Sequence, residues 1–228
     1  RSGVDWMKRD LLAVLVAAGL VSSVRAFASA PCISRGIRSS AVRMMSNSPL
    51  SGVHRAPPAT VGAPVESVET PALLIDMDLF ESNCKRMAKL LSQTPGVAMR
   101  PHVKAHKCPD LAAIQLQISN ENGVKCPGVC AQTMREAEVM VHGGVSDVLL
   151  TNQVVGEGKI TRLVKLAGEA AARGGRVAVL VDSVANAQDI SSAAVEEGLV
   201  IPVFIEVEAG QGRCGVSPGG ADLVALAR

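Results

Sequence analysis

The sequence contains no tyrosine, and aromatic residues make up only 2% of its 228 residues. Proteins that hold single-stranded nucleic acid stack its bases on aromatic side chains above a basic groove. This chain lacks such a platform, and its net charge of +2 provides no basic surface. We therefore expect no nucleic-acid partner. With 48% hydrophobic and 19% charged residues, the composition is that of a globular protein.

The chain also lacks a cysteine framework. Its six cysteines have no regular spacing, so we expect reduced, mostly buried thiols rather than a disulfide scaffold. Cys126 and Cys130 are close enough in sequence to share a metal, but a structural zinc site needs four ligands and no second pair follows. We therefore predict no metal site within these residues.

Acidic residues are missing from positions 28–48, which contain three arginines and many Ser and Ala. This composition is typical of a transit peptide. It follows a basic start at 7–9 and an apolar run at 11–21 that is typical of a signal sequence and too short for a comfortable membrane span. We predict a disordered two-part presequence over residues 1–48, directed to a plastid, and no membrane attachment after processing. A mitochondrial or simple secretory signal is the alternative.

Residues 49–67 are rich in proline, glycine and small residues, which is typical of a linker. From residue 68 onward, short apolar runs alternate with helical patterns. The predicted strands are 72–76, 97–103, 128–131, 147–150, 177–181 and 202–207. The predicted helices are 78–92, one from about Pro109, 133–142, 158–173, 183–198 and one from about Gly220.

This alternation predicts parallel βαβ units in an α/β fold. A doubly wound sheet and a (β/α)8 barrel both fit the pattern. A complete barrel takes about 250 residues, and residues 68–228 are fewer. If the fold is a barrel, we therefore expect it to be incomplete, with the sequence truncated before closure. The first residue, an arginine, likewise suggests that the sequence starts upstream of the true initiator.

One predicted strand carries an unusual set of basic residues. With a period of two, Arg100, His102, Lys104 and His106 would share one face of the strand and its extension. Neighbouring positive charges disfavour the ammonium form of a lysine, and a neutral amine is what a Schiff-base lysine needs. An anionic cofactor would offset this charge. A solvated surface strand is the simpler alternative, and a metal bound by His102 and His106 is a third.

Several motifs lie in consistent order over about residues 68–220. They are TPALLID at 70–76, RPHVKAHK at 100–107, GVCAQ at 128–132, GGVSDVLL at 143–150, TNQVVG at 151–156, VDS at 181–183 and EVEAGQGRCGV at 206–216. Together these motifs resemble the D-threonine aldolase and D-serine dehydratase family. The Cys-x-Gln and Gly-Arg-Cys-Gly-Val elements most resemble the branch that contains 3-hydroxy-D-aspartate aldolase. The resemblance implies an incomplete (β/α)8 TIM-type barrel of the alanine-racemase N-terminal type over residues 68–228.

The resemblance also assigns roles to residues. It implies that Lys104 forms a Schiff base with pyridoxal 5'-phosphate and that Gln132 contacts this cofactor, although Gln132 could instead cap the following helix. Arg213 would lie near the cofactor's ring oxygen or the substrate carboxylate; a loop salt bridge is the alternative. His106 and Asn152 are weaker candidates for lining the pocket.

The activity implied is a lyase reaction on D-3-hydroxy amino acids, either retro-aldol cleavage or dehydration, by a homodimer. In the family a divalent metal is held by a C-terminal β domain, whose residues would lie beyond Arg228, so we expect the 228 residues alone to be inactive. A non-catalytic pyridoxal phosphate carrier and an amino-acid racemase are alternatives, the latter disfavoured because a racemase needs a catalytic tyrosine.

The run from Gly210 to Gly215 fits G-x-G-x-x-G, the pattern of a dinucleotide-binding loop. In that fold the pattern follows the first strand, whereas here it follows the sixth predicted strand. We interpret these glycines as a tight loop.

Overall fold

The computed structural model of the protein describes residues 59–228. The predicted presequence, 1–48, and the first part of the predicted linker lie outside the described residues. The described end of the linker contains one turn of 3-10 helix, Val65–Ser67. Among the described residues, no helix has both the length and the apolar character that crossing a membrane requires.

The chain divides into two units at Phe80–Glu81. The described part of the first unit, 59–80, holds the 3-10 turn, irregular chain and the start of helix α1, Met77–Ser92. Asp76 caps this helix, because its Oδ1 accepts a hydrogen bond from the Leu79 N–H at 2.9 Å.

The second unit alternates helices with strands. The helices after α1 are α2 Pro109–Glu121, α3 Met134–His142, α4 Glu157–Ala171, α5 Val184–Glu196 and α6 Ala221–Leu226. The strands are β1 Val129–Ala131, β2 Asp147–Gln153, β3 Arg176–Val181 and β4 Val203–Ile205. They form one parallel sheet in the order β1-β2-β3-β4. All six helix predictions and the last four strand predictions are therefore confirmed, with small shifts at their ends.

The two earlier strand predictions differ from the structure. Residues 97–103 lie beside β1, but only His102 forms a bridge, to Cys130, because the chain turns at Val103. Residues 72–76 form no strand, and Leu73 is 81% exposed. A strand needs a neighbour for its backbone N–H and C=O groups, and none of the described residues pairs with this run.

The core shows which of the two α/β architectures the chain adopts. Alternate strand residues such as Val148 and Val179 pack with Met140 of α3 and Leu163 of α4 in a large buried cluster. The opposite face carries a separate cluster formed by strand residues alone. Its members are Cys130, Leu149, Ala178 and Leu180, with Phe204 packed against them. A doubly wound sheet has helices on both faces, whereas a barrel has them outside and side chains inside, so within the described residues the arrangement is that of a barrel segment.

Candidate active site at the carboxyl ends of the parallel strands

Polar residues follow each parallel segment at the point where it ends. Lys104 comes just after the His102 bridge, Gln132 just after β1, and Asp182 and Glu206 just after β3 and β4. Asn152 lies near the end of β2. Because the carboxyl ends of parallel strands meet at one edge, these residues share that edge, which is where barrel enzymes carry their active sites.

Lys104 occupies a tight turn anchored in the sheet. Val103 is fully buried, and its N–H donates to the Cys130 carbonyl at 2.9 Å. The Lys107 N–H then donates back to the Val103 carbonyl at 2.8 Å, and Lys107 adopts a left-handed φ of 51°. Lys104 itself is exposed, and among the described residues its side-chain amine has no hydrogen-bond or ion-pair partner.

The predicted basic face is wrong in one respect: the side chain of Arg100 does not lie beside that of Lys104. Its guanidinium makes two hydrogen bonds, of 2.7 and 3.1 Å, to the carboxylate of Asp147, the first residue of β2. Arg176 donates to the same carboxylate at 2.9 Å. The period-two alternation does not continue to Lys104, because the chain turns at Val103. Arg100 therefore lies at the amino ends of the strands, beside the first residue of β2.

The Asp147 carboxylate is held ionised at this amino edge. Burial raises its pKa, but the hydrogen bonds from Arg100 and Arg176 outweigh burial, so that its pKa lies below the ordinary value. We conclude that this ion network is structural and lies at the opposite edge from Lys104.

His102 lies directly beneath the Lys104 turn and is half-buried. Its Nδ1 accepts from the Lys104 N–H at 3.2 Å, and its Nε2 lies 3.1 Å from the Thr151 hydroxyl. Burial lowers the pKa of His102, and the positive charges of Lys104 and Lys107 lower it further, against the opposing effect of Glu136. The imidazole is therefore biased towards its neutral form.

His106 is engaged away from the edge. Its Nε2 lies 3.1 Å from Oε1 of Gln115 in α2, and its Nδ1 accepts from the Cys108 N–H at 3.1 Å. Both ring nitrogens are therefore occupied, so the structure gives no support to His106 as a residue that lines a pocket.

Gln132 is positioned by a buried carboxylate. Thr133 caps α3 by accepting from the Glu136 N–H at 3.3 Å, and Glu136 Oε2 accepts from the Gln132 N–H at 2.8 Å. Glu136 also pairs with Lys107, which follows the Lys104 turn. Burial raises the pKa of Glu136, but the hydrogen bonds from Lys107 and from the Gln132 N–H outweigh burial and bring the pKa below its ordinary value.

One carboxylate, Glu136, thus ties the Lys104 turn to the backbone of Gln132. The Gln132 side chain is exposed and has no hydrogen-bond partner among the described residues. Thr133 is the cap of α3, so the alternative role of Gln132 as the helix cap is not what the structure shows.

Arg213 lies in the loop that follows β4. The loop closes on itself through a bridge between Val207 and Val216. Inside it, Glu208 Oε1 accepts from the N–H groups of Gly210 and Gln211 at 2.7 and 2.6 Å. Backbone N–H groups, that of Gly212 first, lower the pKa of the exposed Glu208 carboxyl.

The alternative reading of Arg213, a loop salt bridge, finds no support within residues 59–228. Its guanidinium is exposed and has no ion-pair or hydrogen-bond partner there. Three of the predicted site residues, Lys104, Gln132 and Arg213, therefore present side chains that are available to a ligand. Asn152 is also exposed, and among residues 59–228 its Oδ1 accepts a hydrogen bond only from the Gln153 N–H, at 3.2 Å.

Sequence reasoning missed a group of three side chains at the same edge. Asp182, Glu206 and Cys214 place one potential ligand atom each within 4.8 Å of one another. Asp182 Oδ2 accepts from the Gly215 N–H at 3.0 Å, and Glu206 Oε2 accepts from Gln153 Nε2 at 2.5 Å. Their sequence signal is an acidic residue immediately after an apolar strand, at β3 and again at β4.

The chain matches known proteins over most of the described residues. Residues 75–228 match the family model described as alanine racemase, N-terminal domain. D-threonine aldolase of an Arthrobacter species is 39% identical over 173 residues, which are 76% of this chain and 42% of that protein. The 3-hydroxy-D-aspartate aldolase of Paracoccus denitrificans is 37% identical over 160 residues, 70% of this chain and 39% of that protein.

A solved structure shows the same relationship. The crystal structure of D-threonine aldolase from Filomicrobium marinum matches with a TM-score of 0.66 and 40% identity, over 75% of this chain and 43% of that one. The chain spans about two fifths of the length of the curated relatives it matches. The resemblance inferred from the motifs is confirmed: the chain belongs to the alanine racemase N-terminal domain family, and its relatives include D-threonine and 3-hydroxy-D-aspartate aldolases.

Proposed function

We propose that the whole protein is a pyridoxal phosphate-dependent lyase of D-3-hydroxy amino acids and that Lys104 carries the cofactor as a Schiff base. One observation carries this proposal: Lys104 presents an amine without a partner among the described residues, at the carboxyl edge of a parallel sheet. The D-threonine and 3-hydroxy-D-aspartate aldolases similar to this chain support the reaction class.

The residues at this edge suit such a cofactor chemically. An aldehyde requires an amine that is not tied up in an ion pair, and Lys104 offers one, whereas Lys107 is paired with Glu136. A phenolic oxygen or a carboxylate suits a planar guanidinium, and Arg213 offers a free one. Gln132 adds a free amide that can donate and accept hydrogen bonds.

Within this proposal, each side chain has a limited task. Lys104 would hold the cofactor through its amine, at the edge where the substrate's amino group would also bind. Arg213 orients an anionic oxygen, Gln132 fixes a polar edge of the cofactor, and the neutral His102 adds no charge under the lysine. Pyridoxal phosphate, when bound, supplies the electron sink for cleavage next to the amino group.

Retro-aldol cleavage and elimination of the hydroxyl both require a 3-hydroxy group on the substrate, so the edge residues do not discriminate between them. The similarity to a D-threo-3-hydroxyaspartate dehydratase of a Delftia species, 32% identical over 156 residues, keeps the second outcome within the proposal. A divalent metal held by residues beyond Arg228, and a homodimeric assembly, belong to the same proposal.

The test of the lysine compares two neighbouring variants of the full-length protein loaded with pyridoxal phosphate. We expect Lys104→Ala to lose the visible absorbance of the covalently bound cofactor, as well as activity. Lys107→Ala is the matched control, because Lys107 is exposed, three residues away and engaged with Glu136. If the absorbance band persists in Lys104→Ala and is lost in Lys107→Ala, then Lys107 and not Lys104 binds the cofactor.

The test of the reaction uses D-threonine, with L-threonine as the stereochemical control. We expect glycine and acetaldehyde from the D-isomer alone, or ammonia and a keto acid if elimination prevails. Cofactor binding without turnover of any D-3-hydroxy amino acid would contradict the lyase and favour a non-catalytic carrier.

The destination of the protein is a separate proposal. The acid-free, arginine-containing residues 28–48 support import into a plastid. Residues 1–58 fused to a fluorescent protein should enter that organelle, and accumulation in mitochondria or secretion would contradict the proposal.

A further inference from the structure

Three hydrogen bonds connect the Lys104 turn to two neighbouring strands through one imidazole. The Lys104 N–H donates to His102 Nδ1 at 3.2 Å, His102 Nε2 lies 3.1 Å from Thr151 Oγ1, and Thr151 Oγ1 lies 3.1 Å from the Ala131 carbonyl oxygen. Ala131 ends β1 and Thr151 lies in β2. The chain of contacts therefore crosses the carboxyl ends of three adjacent parallel segments.

The partners of this imidazole allow one arrangement of protons. A backbone N–H can only donate, so His102 Nδ1 must be the acceptor and carries no proton. A carbonyl oxygen can only accept, so the Thr151 hydroxyl donates to Ala131 and its oxygen is left to accept from His102 Nε2–H. The network therefore selects the neutral imidazole with its proton on Nε2.

A protonated His102 does not fit this site. Its Nδ1–H would face the Lys104 N–H, donor against donor, and the hydrogen bond between the Lys104 N–H and His102 Nδ1 would be lost. The charged groups that act on the ring are Lys104, Lys107 and Glu136, and Glu136 is already engaged with Lys107 and the Gln132 N–H. Burial and the two lysines favour the neutral ring.

We propose that His102 is a positioning residue for Lys104: its neutral imidazole, held by Thr151, fixes the turn that presents the lysine amine at the carboxyl edge. This inference rests on the proposed function of Lys104. His102 acts through the backbone of its neighbour and does not touch the reacting atoms. A misplacement of about 1 Å in a reacting group can lower the rate roughly 100-fold. The hydrogen bonds that hold this turn in place should therefore affect kcat.

Four variants of the full-length protein, saturated with pyridoxal phosphate, test the inference. His102→Leu removes both links, whereas His102→Asn restores an acceptor near the Nδ1 position for the Lys104 N–H. Thr151→Val removes the hydroxyl that fixes the imidazole, and Thr151→Ser retains it. For each variant, kcat, KM, the thermal midpoint and the pH midpoint of the visible cofactor band are measured.

We expect His102→Leu to lower kcat by about tenfold or more, a part of what misplacement can cost, and to displace the pH midpoint of the band. His102→Asn should recover most of kcat. Thr151→Val should lie between His102→Leu and the wild type, and Thr151→Ser should behave as the wild type.

The inference is overturned if His102→Leu lowers only the thermal midpoint and leaves kcat and the pH midpoint of the band at wild-type values, as a merely structural role would. If His102→Leu does not fold, the Thr151 pair decides: wild-type kcat and band in Thr151→Val overturn the inference. A wild-type protein without a band that depends on Lys104 refutes the proposed function, and the inference with it. A normal wild-type band together with unaffected variants refutes only the role of His102.

Discussion

The two edges of the parallel sheet use the same types of charged residue in opposite ways. At the amino edge, the Asp147 carboxylate accepts hydrogen bonds from both Arg100 and Arg176. At the carboxyl edge, the side chains of Lys104 and Arg213 have no partner among residues 59–228. A charged group whose hydrogen bonds are already made stabilises the fold, whereas one without partners is available to a ligand.

The difference follows from where the chain turns. Arg100 lies before the Val103 turn and can reach the first residue of β2, whereas Lys104 lies after the turn and is exposed. A structural cation and a candidate catalytic one therefore lie only four positions apart in the sequence. The comparison predicts that substitutions at the amino edge change stability, and that those at the carboxyl edge change ligand binding.

Removing the central carboxylate should have the largest effect on folding. Asp147→Ala leaves the Arg100 guanidinium, whose side chain is only 18% exposed, without its partner, and breaking such a pair costs about 3 kcal/mol. Urea unfolding of the full-length protein measures the loss. Glu138→Ala is the control, because Glu138 pairs with Arg162 at the surface and its removal should barely move the midpoint. Equal losses of unfolding free energy in the two variants would contradict the prediction that the buried ion pair stabilises the fold more than the exposed one.

The loop that presents Arg213 depends on one crowded glycine. Gly215 has φ of 101°, and an added Cβ would lie 2.7 Å from the Glu208 nitrogen. We expect Gly215→Ala to destabilise the loop by about 2 kcal/mol, since both strain and a clash arise. Gly212→Ala is a matched control with φ of 63° and no atom within 4 Å of the added Cβ, so it should cost less. Differential scanning calorimetry compares them; a reversed order would contradict the described loop.

Arg213→Ala should separate binding from stability at the carboxyl edge. Because Arg213 is exposed and unpaired among the described residues, its loss should change the free energy of unfolding by no more than about 0.5 kcal/mol. Pyridoxal phosphate or substrate affinity should fall about tenfold, as a hydrogen bond to a charged group is lost. The control is Arg173→Ala, since Arg173 donates to the Val141 carbonyl at 3.2 Å and belongs to no part of the candidate site. Titration followed by absorbance measures both, and equal affinities would refute the role of Arg213.

The contribution of Asp147 to the free energy of unfolding should decrease at acid pH. The pKa of Asp147 is depressed in the folded state from its ordinary value of 3.8, so the unfolded chain binds this proton more readily. The stabilisation is therefore complete above the unfolded pKa and is lost as pH falls through the lower, folded pKa. Thermal midpoints measured from neutral to acid pH should fall less steeply in Asp147→Asn than in the wild type. An unchanged slope would contradict the assignment.

Local patterns were sufficient for most of the fold. The apolar runs at 128–131, 147–150, 177–181 and 202–207 predicted all four strands of the sheet, because a buried parallel strand leaves a continuous apolar signature. The run at 72–76 carries a similar signature but forms no strand, since no described residue pairs with it. Strand formation depends on a neighbour as well as on the run itself.

The candidate site was predicted in part. Lys104, Gln132 and Arg213 were found from motifs, and the structure leaves their side chains free within residues 59–228. Arg100 was predicted wrongly to share a face with Lys104, because its partner, Asp147, is 47 positions away in the sequence. The contact of His102 with Thr151 spans 49 positions and was missed for the same reason.

The sequence by itself determined the order of the six helices and of the four strands that form the sheet, the family and the identity of the candidate lysine, because these follow from periodicity and from short ordered motifs. Only the tertiary structure decided that helices cover one face of the sheet, that Arg100 and Lys104 lie at opposite edges, and that His102 is held between Lys104 and Thr151. The physical reason is that these features are contacts between residues far apart in the chain. A hydrogen bond over about 3 Å is set by how neighbouring strands pair and where the chain turns.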